Sequence, residues 1–482
     1  MEEIFKAVIC ILYIAACIPL ALHLLHMFQQ EGYKVPAFVK WLKTHPGRIY
    51  APYLPGSAKK KLVFTARVKR LIACDIALNA CMTAIVLICM NPLWLLLLIL
   101  LQPLILILAA YIMTPVEKGV QQHYIDDAAR ILRESPELTV IGVTGSYGKT
   151  SVKFILQELM SVKYDTLMTP ESYNTTMGVV RTIRERLRPN HRYFICEMGA
   201  RHRGDVKEIC DLVHPSSGII TALGAQHLET FGSLEITAAS KHELFDAVPD
   251  SGRRYVNWDN ELIRTHYGKE EGLIRYGFSE ECDYRVSGVS AGSSGTRFTV
   301  TAPGGESQEY TTALLGRHSA LNIAGAIAVA HGYGVSLKEM KSAVRMLKSV
   351  PHRLELVKRG GICMIDDAYN SNPQGCRMAL DTLSLFADSV KIIVTPGMVE
   401  LGEKQYEENE LLGREAAEVC DYIVAVGAKQ AEPIRDGALA AGFPEDRFYT
   451  AMNLTDAMNY VYALRDSRPK AVLLENDLTD NY

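Results

Sequence analysis

The stretch Val140-Ile-Gly-Val-Thr-Gly-Ser-Tyr-Gly-Lys-Thr-Ser151 constrains the fold more than any other part of the chain. An apolar, β-branched run from Leu138 to Val143 leads into glycines at positions 142, 145 and 148. Lys149, Thr150 and Ser151 follow, and Val152 to Met160 then shows helical periodicity. Strand, glycine loop and helix in this order predict an α/β domain. Its loop N–H groups and helix N-terminus are suited to cradling phosphate. Lys149 can reach the β- and γ-phosphates of a nucleotide, and the Thr150 hydroxyl can hold Mg²⁺. Five residues separate Gly142 from Gly148, one more than the general phosphate-loop pattern has.

The first third of the chain has a different character. Residues 7–28 form an apolar run of 22 without Lys, Arg, Asp or Glu. That is enough to cross a bilayer and too long for a signal-peptide core. Two further apolar runs, 71–90 and 92–113, are split by Asn91-Pro92 and predict a helical hairpin, kinked near Gln102 and Pro103. Between the first and second runs, residues 31–70 carry ten Lys or Arg against the single acid Glu31. The positive-inside rule places this loop in the cytoplasm. The N-terminus is then outside, and the chain re-enters the cytoplasm near Thr114. The basic loop can also hold anionic headgroups. Asp75 and Asn79 share one helix face within the second span, and Arg70 is a candidate partner for Asp75.

Beyond residue 114, strand and helix patterns alternate, which predicts a mostly parallel sheet with ligand groups at the strand C-terminal ends. Tyr193-Phe-Ile-Cys-Glu197 ends on a carboxylate suited to Mg²⁺. A strand at 218–223 is followed by His227, and the helical stretch from Ile236 to Phe245 places Lys241 on its apolar side. Residues 254–311 read as a β-rich extension on the sheet edge. Gly316-Arg-His-Ser-Ala-Leu-Asn322 opens a small-residue helix, and Val350-Pro-His-Arg353 reads as a hinge. After the hinge the pattern gives helix 374–386, strand 390–395, helix 405–419, strand 421–426, helices 429–440 and 453–465, and strand 470–474. A net charge of −3 gives no global field favouring nucleic acid. The 11 cysteines include no Cys-x-x-Cys and suggest neither a disulfide framework nor a zinc site.

Five segments together resemble the Mur ligase family, in its type that adds D-alanyl-D-alanine to a muramyl peptide. They are Thr144-Gly-Ser-Tyr-Gly-Lys-Thr, Glu197-Met-Gly-Ala, His227-Leu-Glu-Thr-Phe-Gly-Ser, Lys241-His-Glu and Ile365-Asp-Asp-Ala-Tyr-Asn-Ser-Asn-Pro373. Glu400-Leu-Gly-Glu403 resembles the same type. The apolar runs predict an N-terminal membrane region at 1–113, and the resemblance implies a central ATP-binding domain at 114–350 and a Rossmann-like C-terminal domain at 351–482. It implies that Gly145, Ser146, Gly148, Lys149, Thr150 and Ser151 hold ATP. Thr150 and Glu197 would bind one Mg²⁺, and His227 and a carbamylated Lys241 a second. Asn174 would lie near the γ-phosphate and acyl group, and His318 and Asn322 near adenine. Arg353 would approach the phosphates and Asp367 the ribose.

Two departures qualify the match. The membrane segment stands where the family has its UDP-sugar-gripping domain. Leu473-Leu-Glu-Asn-Asp stands where a Lys-Gly-Ser-Arg segment is expected. The expectation is a membrane-anchored ATP-dependent amide ligase with its catalytic domains in the cytoplasm. It would act on a small or lipid-linked cell-wall peptide and an amine such as D-Ala-D-Ala, with other cell-wall enzymes as candidate partners. The alternatives are a ligase for a non-peptidoglycan carboxylate and a membrane-anchored ATPase that forms no amide.

Overall fold

The computed structural model describes residues 2–53, 61–224, 231–359, 362–368, 371–399 and 401–476. It divides into two compact units, residues 1–124 and 125–477.

The first unit is helical. Helix α1 spans Glu2–Gln30, α2 Val35–Thr44, α3 Ala66–Cys89, α4 Leu95–Leu100 and α5 Gln102–Arg133, the last running on into the second unit. Helices α1, α3 and α5 are long and apolar enough to cross a membrane. Their outward positions are aliphatic, as at Ile11, Ile18, Ile76, Ile88 and Leu104, which are all exposed. The interior instead carries polar groups. Gln102 Nε2 donates to Asn79 Oδ1 at 2.7 Å, and Tyr13 O–H donates to the same oxygen at 2.8 Å. Interhelical hydrogen bonds of this kind hold bundles together in lipid, where apolar burial provides little drive. Gln102→Leu is expected to lower the stability of this unit by about 1 kcal/mol. Unfolding by SDS titration in mixed micelles measures the change.

Three expectations are overturned in this unit. The third apolar run is not one span over 92–113. A short 3₁₀ turn at Pro92–Trp94 leads into α4, whose six residues are too short to cross, and the chain breaks at Leu101. Pro103 needs no N–H donor in the first turn of α5, so it starts a helix rather than kinking one. That helix continues through Pro115 to Arg133. Nor does Arg70 pair with Asp75. Its guanidinium is bidentate to Glu117, at 2.7 and 2.8 Å, and the Asn79 amide donates to Asp75 instead.

The second unit holds two sheets. The first has nine strands in the order β2-β3-β1-β4-β5-β6-β7-β8-β9. These are β1 Thr139–Thr144, β2 Thr166–Met168, β3 Tyr193–Glu197, β4 Ser217–Ile220, β5 Arg253–Asn257, β6 Leu273–Gly277, β7 Tyr284–Gly292, β8 Gly295–Thr301 and β9 Ser307–Thr312. All pairs from β2 to β7 are parallel, and the last two are antiparallel. The antiparallel extension therefore starts later than the sequence pattern implied, because β5 and β6 belong to the parallel sheet. β1 lies mid-sheet, covered on both faces, which is why it reads as a continuous apolar run. Helix α6, Lys149–Met160, buries Val152, Ile155, Leu156, Leu159 and Met160. Each such side chain contributes about 1.5–3 kcal/mol of transfer free energy. Helices α7 (Thr176–Arg186), α8 (Asp205–Val213), α9 (Leu234–Ala247), α10 (Glu261–Tyr267), α11 (Arg317–Gly332) and α12 (Leu337–Met346) complete this layer.

The second sheet has the order β10-β11-β15-β12-β13-β14, with only the β10 pair antiparallel. Its strands are β10 Glu355–Arg359, β11 Ile362–Asp367, β12 Val390–Thr395, β13 Tyr422–Val426, β14 Phe448–Ala451 and β15 Lys470–Glu475. Its helices are α13 Pro373–Ser384, α14 Gln405–Val419, α15 Ala428–Ala440 and α16 Leu454–Ala463. The elements expected from periodicity are present within about two residues. Strand β14 was not anticipated. Asn372 caps α13, its Oδ1 accepting from Gly375 N–H at 2.9 Å, with Pro373 in the first turn. Tyr369 and Asn370 of that motif, and Glu400, lie outside the described residues.

Candidate active site

Parallel strands deliver their C-terminal ends to one edge, and β1, β3 and β4 lie side by side there. Val143 is in register with Glu197, and Thr144 with Ile220. The loop after β1 thus opens between the ends of its two neighbours. Gly145 (φ +145°) and Gly148 (φ +77°) adopt backbone conformations that side chains resist. A Cβ on Gly145 would lie 2.3 Å from Thr221 Oγ1 and 3.0 Å from Ala222 N. The loop is pinned to the strand β4 exit by Ser146 N–H donating to Ala222 O at 2.7 Å. Ser146 Oγ also bonds Gly224, donating to its carbonyl and accepting from its N–H. Gly145→Ala is expected to cost about 1–3 kcal/mol of stability and to abolish nucleotide binding. Thermal melting with and without ADP separates the two effects.

Around this loop the structure gathers several of the expected residues. Thr150 Oγ1 donates to Glu197 Oε1 at 3.1 Å, and Asn174 Nδ2 donates to the same oxygen at 3.1 Å. The Asn174 carbonyl accepts from Gly199 N–H at 2.7 Å, and a Cβ at 199 would come within 2.8 Å of the Asn174 side chain. Lys149 Nζ donates to the carbonyls of Gly145 and Ser146, at 2.7 and 3.1 Å. Burial pushes the Lys149 ammonium down to about 8, Glu197 opposing the shift. Burial also works against ionising Glu197, but Lys153 and Lys149 together hold its carboxyl below the ordinary value. Ser151 is partly buried on α6, and Asn322 Oδ1 lies 2.9 Å from where a Cβ on Gly148 would sit.

Lys241 is 2% exposed on α9, with Nζ 5.7 Å from the Phe231 ring centroid. Burial first, then the charge of Lys149, push it down to about 7. Much of the Lys241 side chain is therefore neutral at physiological pH. His227 lies outside the described residues. His318 is partly buried, its Nε2 3.3 Å from Ser319 Oγ, and desolvation lowers it to about 4. Arg353 stands between His352 (φ +58°) and Leu354 (φ +48°), two left-handed residues that fix the hinge. Its charge bears on both Lys149 and Asp367. Asp367 Oδ1 accepts from Leu354 N–H at 3.2 Å, and burial raises its carboxyl above the ordinary carboxylate range.

Lys153 was missed by the sequence reading. It is fully buried, with Nζ 2.9 Å from Glu197 Oε2. The available signal was a lysine one turn after Lys149 on an otherwise apolar helix face.

Residues 143–330 match the Mur ligase middle domain, and residues 352–474 match the Mur ligase glutamate ligase domain. The UDP-N-acetylmuramoyl-tripeptide–D-alanyl-D-alanine ligase of Mycobacterium tuberculosis is 32% identical over 361 residues, covering 70% of each chain. This chain belongs to the Mur ligase family. The crystal structure of MurF from Acinetobacter baumannii superposes with a TM-score of 0.66 at 26% identity, covering 73% of this chain and 76% of that one. The Thermotoga maritima MurF ligase, solved with ADP, shares the fold with a TM-score of 0.65 at 24% identity, over 73% and 80% of the two chains. As a Mur ligase the protein is an ATP-dependent ligase.

Proposed function

We propose that this Mur ligase joins D-Ala-D-Ala, or a closely related amine, to the peptide of a cell-wall precursor at the membrane. The observation that carries the reading is the convergence of Thr150, Asn174 and Glu197 on one another beside the glycine loop, with hydrogen bonds of 3.1 Å. The likeness to the D-alanyl-D-alanine ligases supports the choice of amine.

The substrate carboxylate attacks the γ-phosphorus of ATP. ADP leaves, and an acyl phosphate forms. The amine then attacks the acyl carbon, and phosphate departs with the C–O bond electrons. Two anions must approach in the first step. Lys149 supplies positive charge from the loop, and Arg353 supplies it from the hinge when the two sheets close on the nucleotide. Asn174 orients the reacting acyl group, His318 and Asn322 border the adenine, and Asp367 takes the ribose. Closure excludes the water that would hydrolyse the acyl phosphate.

The donor set fits hard cations. A threonine hydroxyl and a carboxylate oxygen facing each other at 3.1 Å suit Mg²⁺. Thr150 and Glu197 hold one ion in this reading, and His227 with carbamylated Lys241 holds the second. When bound, the ions neutralise phosphate charge and polarise the transferring group. Burial lowers the Lys241 ammonium, which favours the unprotonated nitrogen that carbamylation requires.

The domain limits proposed are 1–113, 114–350 and 351–482. Helices α1, α3 and α5 anchor the enzyme in the cytoplasmic membrane, with the catalytic domains on the cytoplasmic side and the basic loop at the headgroups. Anchoring concentrates the enzyme where a lipid-linked acceptor lies. The test is the purified protein in detergent with ATP, labelled D-Ala-D-Ala, and UDP-linked or lipid-linked muramyl tripeptide. Labelled product from either acceptor supports the reading. ATP hydrolysis indifferent to both acceptor and amine refutes it.

A further inference from the structure

The two oxygens of Glu197 are divided between different partners. Oε1 faces Thr150 and Asn174, the proposed ion and substrate groups. Oε2 faces Lys153 Nζ at 2.9 Å, and neither side chain is more than 1% exposed. The same ammonium donates to the Glu171 carbonyl, in the loop leading to Asn174. Glu171 is itself held in the left-handed region, at φ +44°. One buried lysine therefore ties the strand β3 carboxylate to the loop that carries Asn174.

The charge count gives this arrangement a consequence. Lys149 and Lys153 contribute two positive charges against one from Glu197, and the N-terminus of α6 adds partial positive charge. A site of net positive sign attracts a polyphosphate and repels a bare dication. Once the phosphates are in place the sum turns negative and a cation becomes favourable. We propose that Lys153 is the resident counter-cation of Glu197, a positioning residue that keeps divalent metal out until the nucleotide brings it. The inference rests on the reading of Thr150 and Glu197 as ligands of the nucleotide's ion.

The test is Mn²⁺ binding to the full-length protein in detergent, followed by electron paramagnetic resonance with and without ADP. Without nucleotide, wild type and Glu197→Gln are expected to give the same isotherm, because Lys153 already occupies the carboxylate. With ADP, Glu197→Gln is expected to weaken Mn²⁺ at least about tenfold. Lys153→Met is expected to create a nucleotide-free Mn²⁺ site at least about tenfold tighter than any in wild type. The double variant Lys153→Met/Glu197→Gln should lose that site, and Lys153→Arg should behave as wild type. A nucleotide-free Mn²⁺ site in wild type that Glu197→Gln removes would overturn the proposal. So would a folded Lys153→Met protein with no tighter site. Should Lys153→Met fail to fold, the wild-type and Glu197→Gln pair decides alone. If Glu197→Gln leaves the ADP-dependent site unchanged, Glu197 is not a ligand, and both this inference and the reading beneath it fall.

Discussion

Lys149→Met is expected to lower kcat/KM for ATP-dependent amide formation by about 10³-fold, or ~4 kcal/mol of transition-state stabilisation. The reason is local. Lys149 donates to the Gly145 and Ser146 carbonyls of the glycine loop, and in the proposed site it is the cation that this loop offers to the phosphates. Methionine keeps the length of the side chain and removes the charge. The fold should survive, because burial already disfavours the ammonium and depresses it to about 8. The check is a steady-state ligase assay beside a melting curve. Near-normal turnover in the variant would mean that some other cation serves the γ-phosphate.

Lys241→Met should show a similar split between activity and stability. Turnover is expected to fall by about 10²–10³-fold if Lys241 supports an ion at the transferring phosphate. At pH 7 the variant should also melt higher than wild type. The sign follows from linkage. In metal-free, CO₂-depleted buffer, where Lys241 is the free amine, it is held at about 7 when folded, against about 10.4 in an unfolded chain. Between those values the unfolded state binds more protons, so stability rises with pH. The cost of burying this amine is greatest below pH 7 and fades as pH climbs towards 10, a change of order 4 kcal/mol. Denaturant titrations at pH 6, 8 and 9.5 measure it. Wild type should gain stability across the series relative to Lys241→Met, and parallel curves would contradict the assignment.

Much of the second unit was legible because its signals are local. Alternation and helical periodicity changed over at the glycines, and the strand, loop and helix of residues 139–160 followed. Most C-terminal elements were equally clear, each bounded on at least one side by a Gly, Pro or Asn. Signals that depend on distant partners were not legible. Lys153 reads as a surface lysine until Glu197 arrives from another strand. Gln102 reads as a kink until Asn79 and Tyr13 supply its hydrogen bonds. β5 begins with Arg253 and Arg254, which hid a strand whose Tyr255 and Val256 are fully buried. Strand β14 is four residues long and too short for periodicity to declare it. The site residues named from resemblance fared unevenly. Thr150 and Asn174 both bond the Glu197 carboxylate and Lys149 bonds the loop carbonyls beside them, whereas His227 falls outside the described residues.

The central claim is that ATP is spent to activate a carboxylate for attack by an amine. The most direct measurement supplies an acceptor peptide with its carboxylate labelled with ¹⁸O and analyses the phosphate released. Passage through an acyl phosphate transfers one labelled oxygen into each phosphate formed, and only when ATP, acceptor and amine are all present. Unlabelled phosphate, released at the same rate without the amine, would mean that no acyl phosphate forms.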